Sequence, residues 1–157
     1  MKFFLLLVAA TLAAQKLDEA CGACHTEPAA DFRGHPHFAK GLSCDACHGP
    51  SKAHREATGH KAPDQVAGPA DQPRVCGACH TAQRKDYEQS KHGKLVLASA
   101  ANRAAACTTC HGTHLLRKLA AMRAQCNRCH PALPEACGKL PQCASCHNPH
   151  TLARRRL

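Results

Sequence analysis

Apolar residues are concentrated at one end of this chain of 157 residues. A basic Lys2 precedes an apolar run from Phe3 to Ala14, and small residues lie at the end of the run. This pattern is typical of a secretory signal peptide, so we predict that residues 1–14 direct export and are then removed. A retained membrane anchor is the alternative, but the run is shorter than the roughly 20 apolar residues that a spanning helix needs.

Beyond this run, hydrophobic periodicity is weak. Leu115, Leu119 and Met122 recur at helical spacing and predict a short helix. Residues 49–73 are rich in Gly and Pro and show no long periodic pattern, as in a linker. No later segment is apolar for long enough to span a bilayer, so we expect the mature protein to be soluble.

The composition leaves few large side chains to build a core. The chain contains 13 Cys and 13 His, but no Trp, one Tyr and four Phe. Aromatic residues normally contribute much of the buried apolar area. Another group must therefore fill the interior, and the cysteines and histidines indicate which one.

Six CxxCH motifs follow one another, at residues 21–25, 44–48, 76–80, 107–111, 126–130 and 143–147. CxxCH is the attachment pattern of a c-type haem: two thiols form thioethers, and the adjacent imidazole binds the iron. The predicted attachment residues are Cys21, Cys24, Cys44, Cys47, Cys76, Cys79, Cys107, Cys110, Cys126, Cys129, Cys143 and Cys146. The predicted proximal ligands are His25, His48, His80, His111, His130 and His147.

Other uses of paired cysteines explain the pattern less well. Zinc sites do not require a histidine directly after every second cysteine, and thioredoxin-like sites or disulfides leave all six histidines unexplained. Six haems would supply the missing core. The mature sequence offers only about two dozen residues per haem, too few to insulate one from the next, so we expect a closely packed row that conducts electrons.

The net charge fits this interpretation. The formal charge of +10 would by itself suggest an anionic partner. Six haems bring about twelve propionate charges, and oxidised iron returns about one positive charge per haem, so the holoprotein is expected to lie near neutrality. Because aromatic residues for base stacking are also scarce, nucleic acid is not an expected partner.

Seven histidines lie outside the motifs. A second axial histidine gives a haem a low potential, whereas methionine raises it. The chain has two methionines; one begins the signal peptide, and Met122 has the spacing of a packing residue. We therefore predict bis-histidine haems, with the distal ligands His37, His54, His60, His92, His114 and His150.

An internal repeat ranks the histidines near the first motif. Residues 21–37 align with 76–92, so that His37 meets His92 and His35 meets Ser90. His37 and His92 are therefore nominated as ligands and His35 is the surplus histidine, although whether it replaces His60 stays open. The repeat extends over residues 21–54 and 76–114, which leaves 115–157 as the C-terminal part of one predicted hexahaem domain, 15–157.

The remaining candidates differ in their position relative to a motif. His114 and His150 lie three residues after a proximal histidine, on the same side of a helical turn, so each is expected to bind a neighbouring haem. His54 and His60 lie in the Gly/Pro-rich segment, which is predicted to wrap back over haems; a solvated surface histidine is the alternative for His60. Cys137 lies outside every motif and is expected to be a buried, inert thiol.

The sequence resembles the exported multihaem c-type cytochromes, most closely the periplasmic decahaem cytochromes of metal- and sulfoxide-respiring bacteria. The resemblance rests on the first CxxCH followed by Phe32 and His37, on CHGP followed by His54, and on CHNPH ending at His150. It differs in having six motifs rather than ten. The resemblance implies a mainly α-helical and irregular fold with little β structure, a core of stacked haems, and low-potential bis-histidine haems that act as a wire.

Three functions compete at this point. The first is an electron carrier of anaerobic respiration in the periplasm or outside the cell, between a membrane quinol oxidase and a terminal reductase or an outer-membrane cytochrome. The second is a multihaem reductase of a small nitrogen or sulfur oxide, which needs an open iron site. The third is a filament-forming cytochrome or other homo-oligomer. The supply of histidines and the lack of a CxxCK motif favour the electron carrier, which has no catalytic residues of its own.

Overall fold

The computed structural model describes residues 19–98, 104–131 and 143–155. The predicted signal peptide, residues 1–14, and Cys137 lie outside these described residues, whereas all thirteen histidines lie within them. None of the helices in the described part has the length and apolar character needed to cross a membrane.

The described residues form short α-helices joined by turns. The helices are α1 Thr26–Arg33, α2 Pro36–Ala39, α3 Asp45–His48, α4 Lys52–Glu56, α5 Gln72–Gly77, α6 Thr81–Gln89, α7 Lys91–Leu97, α8 Cys107–His111 and α9 Leu119–Cys129, followed by a 3₁₀ turn, Cys143–Ser145. Within these residues there is no strand, and an isolated bridge joins His147 to Arg154. The mainly helical and irregular fold is therefore confirmed. The predicted helix is confirmed in part, because α9 contains Leu119 and Met122 but begins after Leu115, which lies in a bend.

Each CxxCH motif contains one helical turn. The backbone N–H of the motif histidine donates to the carbonyl of the first cysteine four residues earlier, at 2.9–3.0 Å in the motifs at 21–25, 44–48, 76–80, 126–130 and 143–147. The turn holds the first cysteine and the histidine on one face. After His48 and His111, Gly49 and Gly112 adopt φ of 70° and 86°, a conformation that glycine accepts most readily, and end the helix.

The internal repeat is visible as two matching helix pairs. Helices α1 and α6 both begin directly after a motif histidine, His25 or His80, and α2 and α7 begin at equivalent positions of the two copies. The sequence alignment therefore corresponds to a structural repeat of motif, helix and second helix.

The chain divides into two compact units, Met1–Val66 with Thr113–Leu116, and Ala67–Gly112 with Arg117–Leu157. In the first unit, the loop after α4 returns to the second motif: the carboxylate of Asp64 accepts the backbone N–H of Ser51 at 2.7 Å, and the side-chain amide of Gln65 donates to the carbonyl of Cys47 at 2.6 Å. The Gly/Pro-rich segment thus wraps back onto a haem motif.

In the second unit, polar side chains hold α8 in place. The Gln72 Oε1 accepts the backbone N–H of Thr108 at 3.0 Å, Arg117 donates to the carbonyl of Thr108 at 2.8 Å, and the Tyr87 hydroxyl donates to the carbonyl of Ala105 at 2.9 Å. The fourth motif, which α8 contains, is therefore anchored from both sides of the sequence.

Apolar packing within the polypeptide is sparse. Among the described residues the buried apolar side chains are small or few: Ala29, Pro73, Val96 and Ala106. Several large apolar side chains are instead exposed, including Val66, Leu115 and Leu119 at 58–70 %. The described polypeptide contributes little apolar core of its own.

Candidate haem-binding sites

Four pairs of histidines face each other at nearly the same distance. The ring centroids are 6.0 Å apart for His25 and His54 and for His48 and His114, and 6.1 Å apart for His92 and His130 and for His111 and His150. Every pair joins one motif histidine to one histidine from outside the motifs. Each pair also lies within a single unit of the chain.

This spacing fits an iron ion held between two imidazoles. With metal–imidazole bonds of about 2 Å, two rings on opposite sides of one ion have centroids about 6 Å apart. The His35 and His37 rings, by contrast, are 4.7 Å apart and tilted by 46°, too close to hold an iron between them. The donor set of two cysteines, one motif histidine and one facing histidine therefore fits a covalently attached haem at four motifs.

Backbone carbonyls orient several of the imidazoles. The Nδ1 of His48 lies 3.1 Å from the carbonyl oxygen of Gln65, that of His54 lies 2.6 Å from Lys61, and that of His147 lies 2.9 Å from Leu152. A carbonyl can only accept, so Nδ1 carries the proton and donates. The Nε2 lone pair is then free for a metal, the arrangement usual for histidine ligands.

The environment also favours the neutral form of three of the paired rings, those of His92, His111 and His114. Burial lowers the pKa of His92, and the neighbouring His130 lowers it further. Partial desolvation lowers the pKa of His111, with His150 and His80 adding to the effect. Burial and then His48 lower the pKa of His114 against an opposing effect of Asp31. Neutral imidazole is the form that binds metal.

The backbone at His150 is held by Asn148, the residue directly after the sixth motif. The side-chain Oδ1 of Asn148 accepts the backbone N–H groups of His150 and Thr151, at 2.8 and 3.0 Å. This local turn fixes the backbone at His150, three residues after His147. His150 faces His111 of the fourth motif, and His114, three residues after that motif, faces His48 of the second.

His35 acts as a helix cap. It is 8 % exposed, and its Nδ1 accepts the backbone N–H of His37 at 3.1 Å in front of Pro36, the first residue of α2. Ser90, the equivalent residue of the second repeat, is 2 % exposed and caps α7 in the same way, since its Oγ accepts the backbone N–H of Gly93 at 3.0 Å. An Nδ1 that accepts leaves the proton of a neutral imidazole on Nε2, the atom that would otherwise bind iron.

The other candidate residues lie in different settings. His37 lies in α2 and His80 directly before α6, and His60 is exposed on the turn after α4. Met122 is half-buried in α9. His147 is half-buried at the start of the C-terminal loop.

Cysteines of successive motifs meet in the second unit. A hydrogen bond between the thiols of Cys76 and Cys107 lowers the pKa of Cys76 and raises that of Cys107, which burial raises further. Burial and the adjacent Cys143 raise the pKa of Cys126. The attachment points of the third and fourth motifs, and of the fifth and sixth, are therefore neighbours, as the expectation of closely packed haems requires.

The orienting groups could not be found from the sequence. The carbonyls of Lys61, Gln65 and Leu152 belong to the backbone and leave no signal in residue type. The capping role of His35 left a weak signal, its alignment with a serine, because serine is a preferred N-cap residue.

Comparison with known proteins identifies a family. The family model described as cytochrome c3 matches residues 35–131, which is more than half of the chain and includes the second to fifth motifs. No curated protein and no solved structure shows a significant match.

Proposed function

Because the chain belongs to the cytochrome c3 family, a family of multihaem electron-transfer proteins with covalently attached haem c, we propose that it carries six such haems and passes electrons between redox partners. A haem iron with two histidine ligands accepts and releases one electron at low potential. Proteins of this family are typically exported, and we propose the same for this chain, with residues 1–14 as the signal.

The four histidine pairs carry this proposal. We propose that the haems of the first, second, fourth and fifth motifs take His54, His114, His150 and His92 as their distal ligands. The common separation of 6.0–6.1 Å and the presence of one motif histidine in each pair support this assignment. A purely structural set of histidine contacts would have no reason to follow the motifs.

The proposed distal ligands would also hold separate segments of the chain together. Each proposed ligand lies outside the motif that it serves, so a haem with two ligands crosslinks two segments of its unit. The neighbouring thiols of Cys76 and Cys107, and of Cys126 and Cys143, support a close row of haems. We propose that this row is the electron path, between a membrane quinol oxidase and a terminal reductase or outer-membrane cytochrome of anaerobic respiration.

The haem number is tested by intact-protein mass spectrometry of the exported protein. We expect a mass increase of six haems on a chain that begins after the signal peptide. Reductive titration should then show all six haems changing redox state reversibly at low potential. A different mass increase would contradict the haem number, and a haem that cannot be reduced by its neighbours would contradict the continuous path.

The ligand assignment is tested by two variants six residues apart. His54 faces His25 and is held by the Lys61 carbonyl, whereas His60 is exposed. We expect His54→Ala to add one high-spin haem per chain relative to the wild type in ferric EPR spectra, and His60→Ala to leave the spectrum unchanged. The reverse result would show that the pairing is misassigned.

A further inference from the structure

One short segment of the first unit, residues 61–65, contacts histidines of two proposed haem sites; we call it the clasp loop. The carbonyl of Lys61 accepts the Nδ1 proton of His54 at 2.6 Å, and the carbonyl of Gln65 accepts that of His48 at 3.1 Å. His54 faces the histidine of the first motif, whereas His48 is the histidine of the second. The clasp loop therefore holds one proposed ligand of each of two haems.

Asp64 fastens the clasp loop to the end of the second motif. Its carboxylate accepts the backbone N–H of Ser51 at 2.7 Å, and its own backbone N–H donates to the Oγ of Ser51 at 3.0 Å. The same Oγ donates to the carbonyl of His48 at 3.0 Å. The side chain of Gln65 adds a bond to the carbonyl of Cys47 at 2.6 Å. The loop is thus bonded directly to the residues around the motif histidine.

The backbone that faces Asp64 has an unusual conformation. Ser51 is 8 % exposed and has a φ of 44°, in the left-handed region, where a residue other than glycine is strained and depends on its surroundings. The two hydrogen bonds with Asp64 offset this strain. Gly49 has a φ of 70°, and a β-carbon there would lie 3.0 Å from the Cβ of Asp64. The glycine therefore lets Asp64 approach the motif closely.

Pro63 stiffens the connection between the two carbonyls. Its ring fixes its own φ and restricts Ala62 to extended conformations. At the other end, the backbone N–H of Gly59 donates to the carbonyl of His54 at 3.0 Å, which closes the turn after α4. A displacement of Asp64 is therefore transmitted to the carbonyl that holds His54, as well as to the one that holds His48.

A hydrogen bond at Nδ1 affects the iron as well as the orientation of the ring. A carbonyl that accepts the Nδ1 proton makes the imidazole a more basic ligand. Stronger electron donation favours ferric iron and lowers the reduction potential of the haem. Two haems whose ligands take these carbonyls from one loop should therefore have potentials that change together.

We infer that Asp64 is a positioning residue that, through the clasp loop, keeps the haems of the first and second motifs at low potential together. The inference rests on the proposed function, since it requires a haem on both motifs and His54 as a distal ligand. It gives a residue that binds no iron control over the potentials of two haems.

The test measures hydrogen bonds and potentials separately in the holoprotein. In Asp64→Ala, the Nδ1 protons of two haem ligands should exchange with heavy water about fivefold faster in NMR spectra of histidine-labelled protein, the change that corresponds to a net hydrogen bond of about 1 kcal/mol. In a reductive titration, the potentials of the same two haems should rise relative to the wild type, because their ligands become less basic.

Two further variants separate hydrogen bonding from charge. Asp64→Asn removes the charge but keeps an oxygen that accepts the Ser51 N–H, so its potentials and exchange rates should stay close to those of the wild type. Glu56→Ala removes a carboxylate that pairs with Lys52 at 3.6 Å on the exposed side of α4, and it measures the effect of charge alone. Equal rises in Asp64→Ala and Asp64→Asn would overturn the inference.

Other results would also overturn it. A rise in potential confined to one haem would show that the loop does not link the two ligands, and unchanged exchange in Asp64→Ala would show that the loop stays in place without its carboxylate. If Asp64→Ala does not fold, Ser51→Ala removes the Oγ of the same contact and should produce smaller changes at the same two haems. Wild-type behaviour of Ser51→Ala would then contradict the clasp.

Mass spectrometry and EPR separate this inference from the proposed function. An Asp64→Ala protein with six haems and unchanged potentials contradicts the role of Asp64 alone. A wild-type chain that carries no haem on the first or second motif contradicts the six-haem proposal instead, and a His54→Ala variant without an added high-spin haem contradicts the ligand assignment.

Discussion

At the scale of single residues, the role of a histidine depends on whether its Nδ1 donates or accepts a hydrogen bond. His48, His54 and His147 donate from Nδ1 to carbonyls and leave Nε2 for a metal. His35 accepts a backbone N–H at Nδ1 and caps a helix. The partner of Nδ1, rather than the presence of a histidine, therefore separates candidate ligands from structural residues.

This distinction predicts the behaviour of His35 variants. We expect His35→Ala to destabilise the protein by about 1 kcal/mol, the usual loss for an N-cap, which thermal unfolding followed by circular dichroism would detect. His35→Ser, which copies the residue of the second repeat, should restore most of this stability. Neither variant should add a high-spin haem, and one that did would identify His35 as an iron ligand.

At the scale of helices, the two copies of the repeat form the same pair of helices but differ in the side chains that position them. Both copies place a short helix after the motif histidine and a second, capped helix that carries His37 or His92. In the second copy, Gly93 follows His92, and a β-carbon there would overlap the carbonyl of Tyr87. The absence of a side chain at Gly93 therefore lets α7 approach the end of α6 and sets the position of His92.

We expect Gly93→Ala to destabilise the protein by about 1–3 kcal/mol, the usual range for overpacking, and to weaken binding of the haem that His92 faces. Thermal unfolding measures the first effect, and a high-spin fraction in the ferric EPR spectrum measures the second. The control is Gly34→Ala, because a β-carbon there meets its nearest neighbour at an ordinary 3.5 Å. Equal effects of the two substitutions would contradict the close approach at Gly93.

At the scale of the whole molecule, the described polypeptide buries few apolar residues that could form a core. The described part of the chain buries Ala29, Pro73, Val96 and Ala106 as its apolar side chains, and of these Val96 is the one that is fully buried and larger than proline. Conformational entropy opposes folding by about 1–2 kcal/mol per residue, which such a small core cannot offset. Haem rings and axial bonds are expected to contribute most of the stabilisation.

We therefore expect the haem-free chain to be unfolded. Replacing the twelve motif cysteines by serine should remove the cooperative thermal transition and most of the helical circular dichroism signal, whereas the holoprotein should show both. Replacing only Cys21 and Cys24 should give an intermediate loss, because one haem crosslinks His25 to the segment of His54. A cooperative transition in the haem-free chain would show that the polypeptide core suffices.

The amino-acid sequence by itself determined the chemistry and its repetition. CxxCH is a local pattern, so the number of motifs, the prediction of their histidines as ligands and the equivalence of His37 and His92 follow from residue spacing. The spacing also predicted that His114 and His150 would not serve their own motifs, because three residues of helical turn keep both histidines on one side. The mainly helical and irregular fold was implied by the resemblance to multihaem c-type cytochromes, which rests on these motifs and on the histidines around them.

The tertiary structure alone decided which histidine faces which motif. His48 and His114, or His111 and His150, come together because separate segments fold onto each other, and no local pattern encodes that distance. The same holds for the carbonyls that orient the rings, since every residue type has one. Covalent attachment is a property of five consecutive residues, whereas axial pairing is a property of two distant segments that share one metal ion.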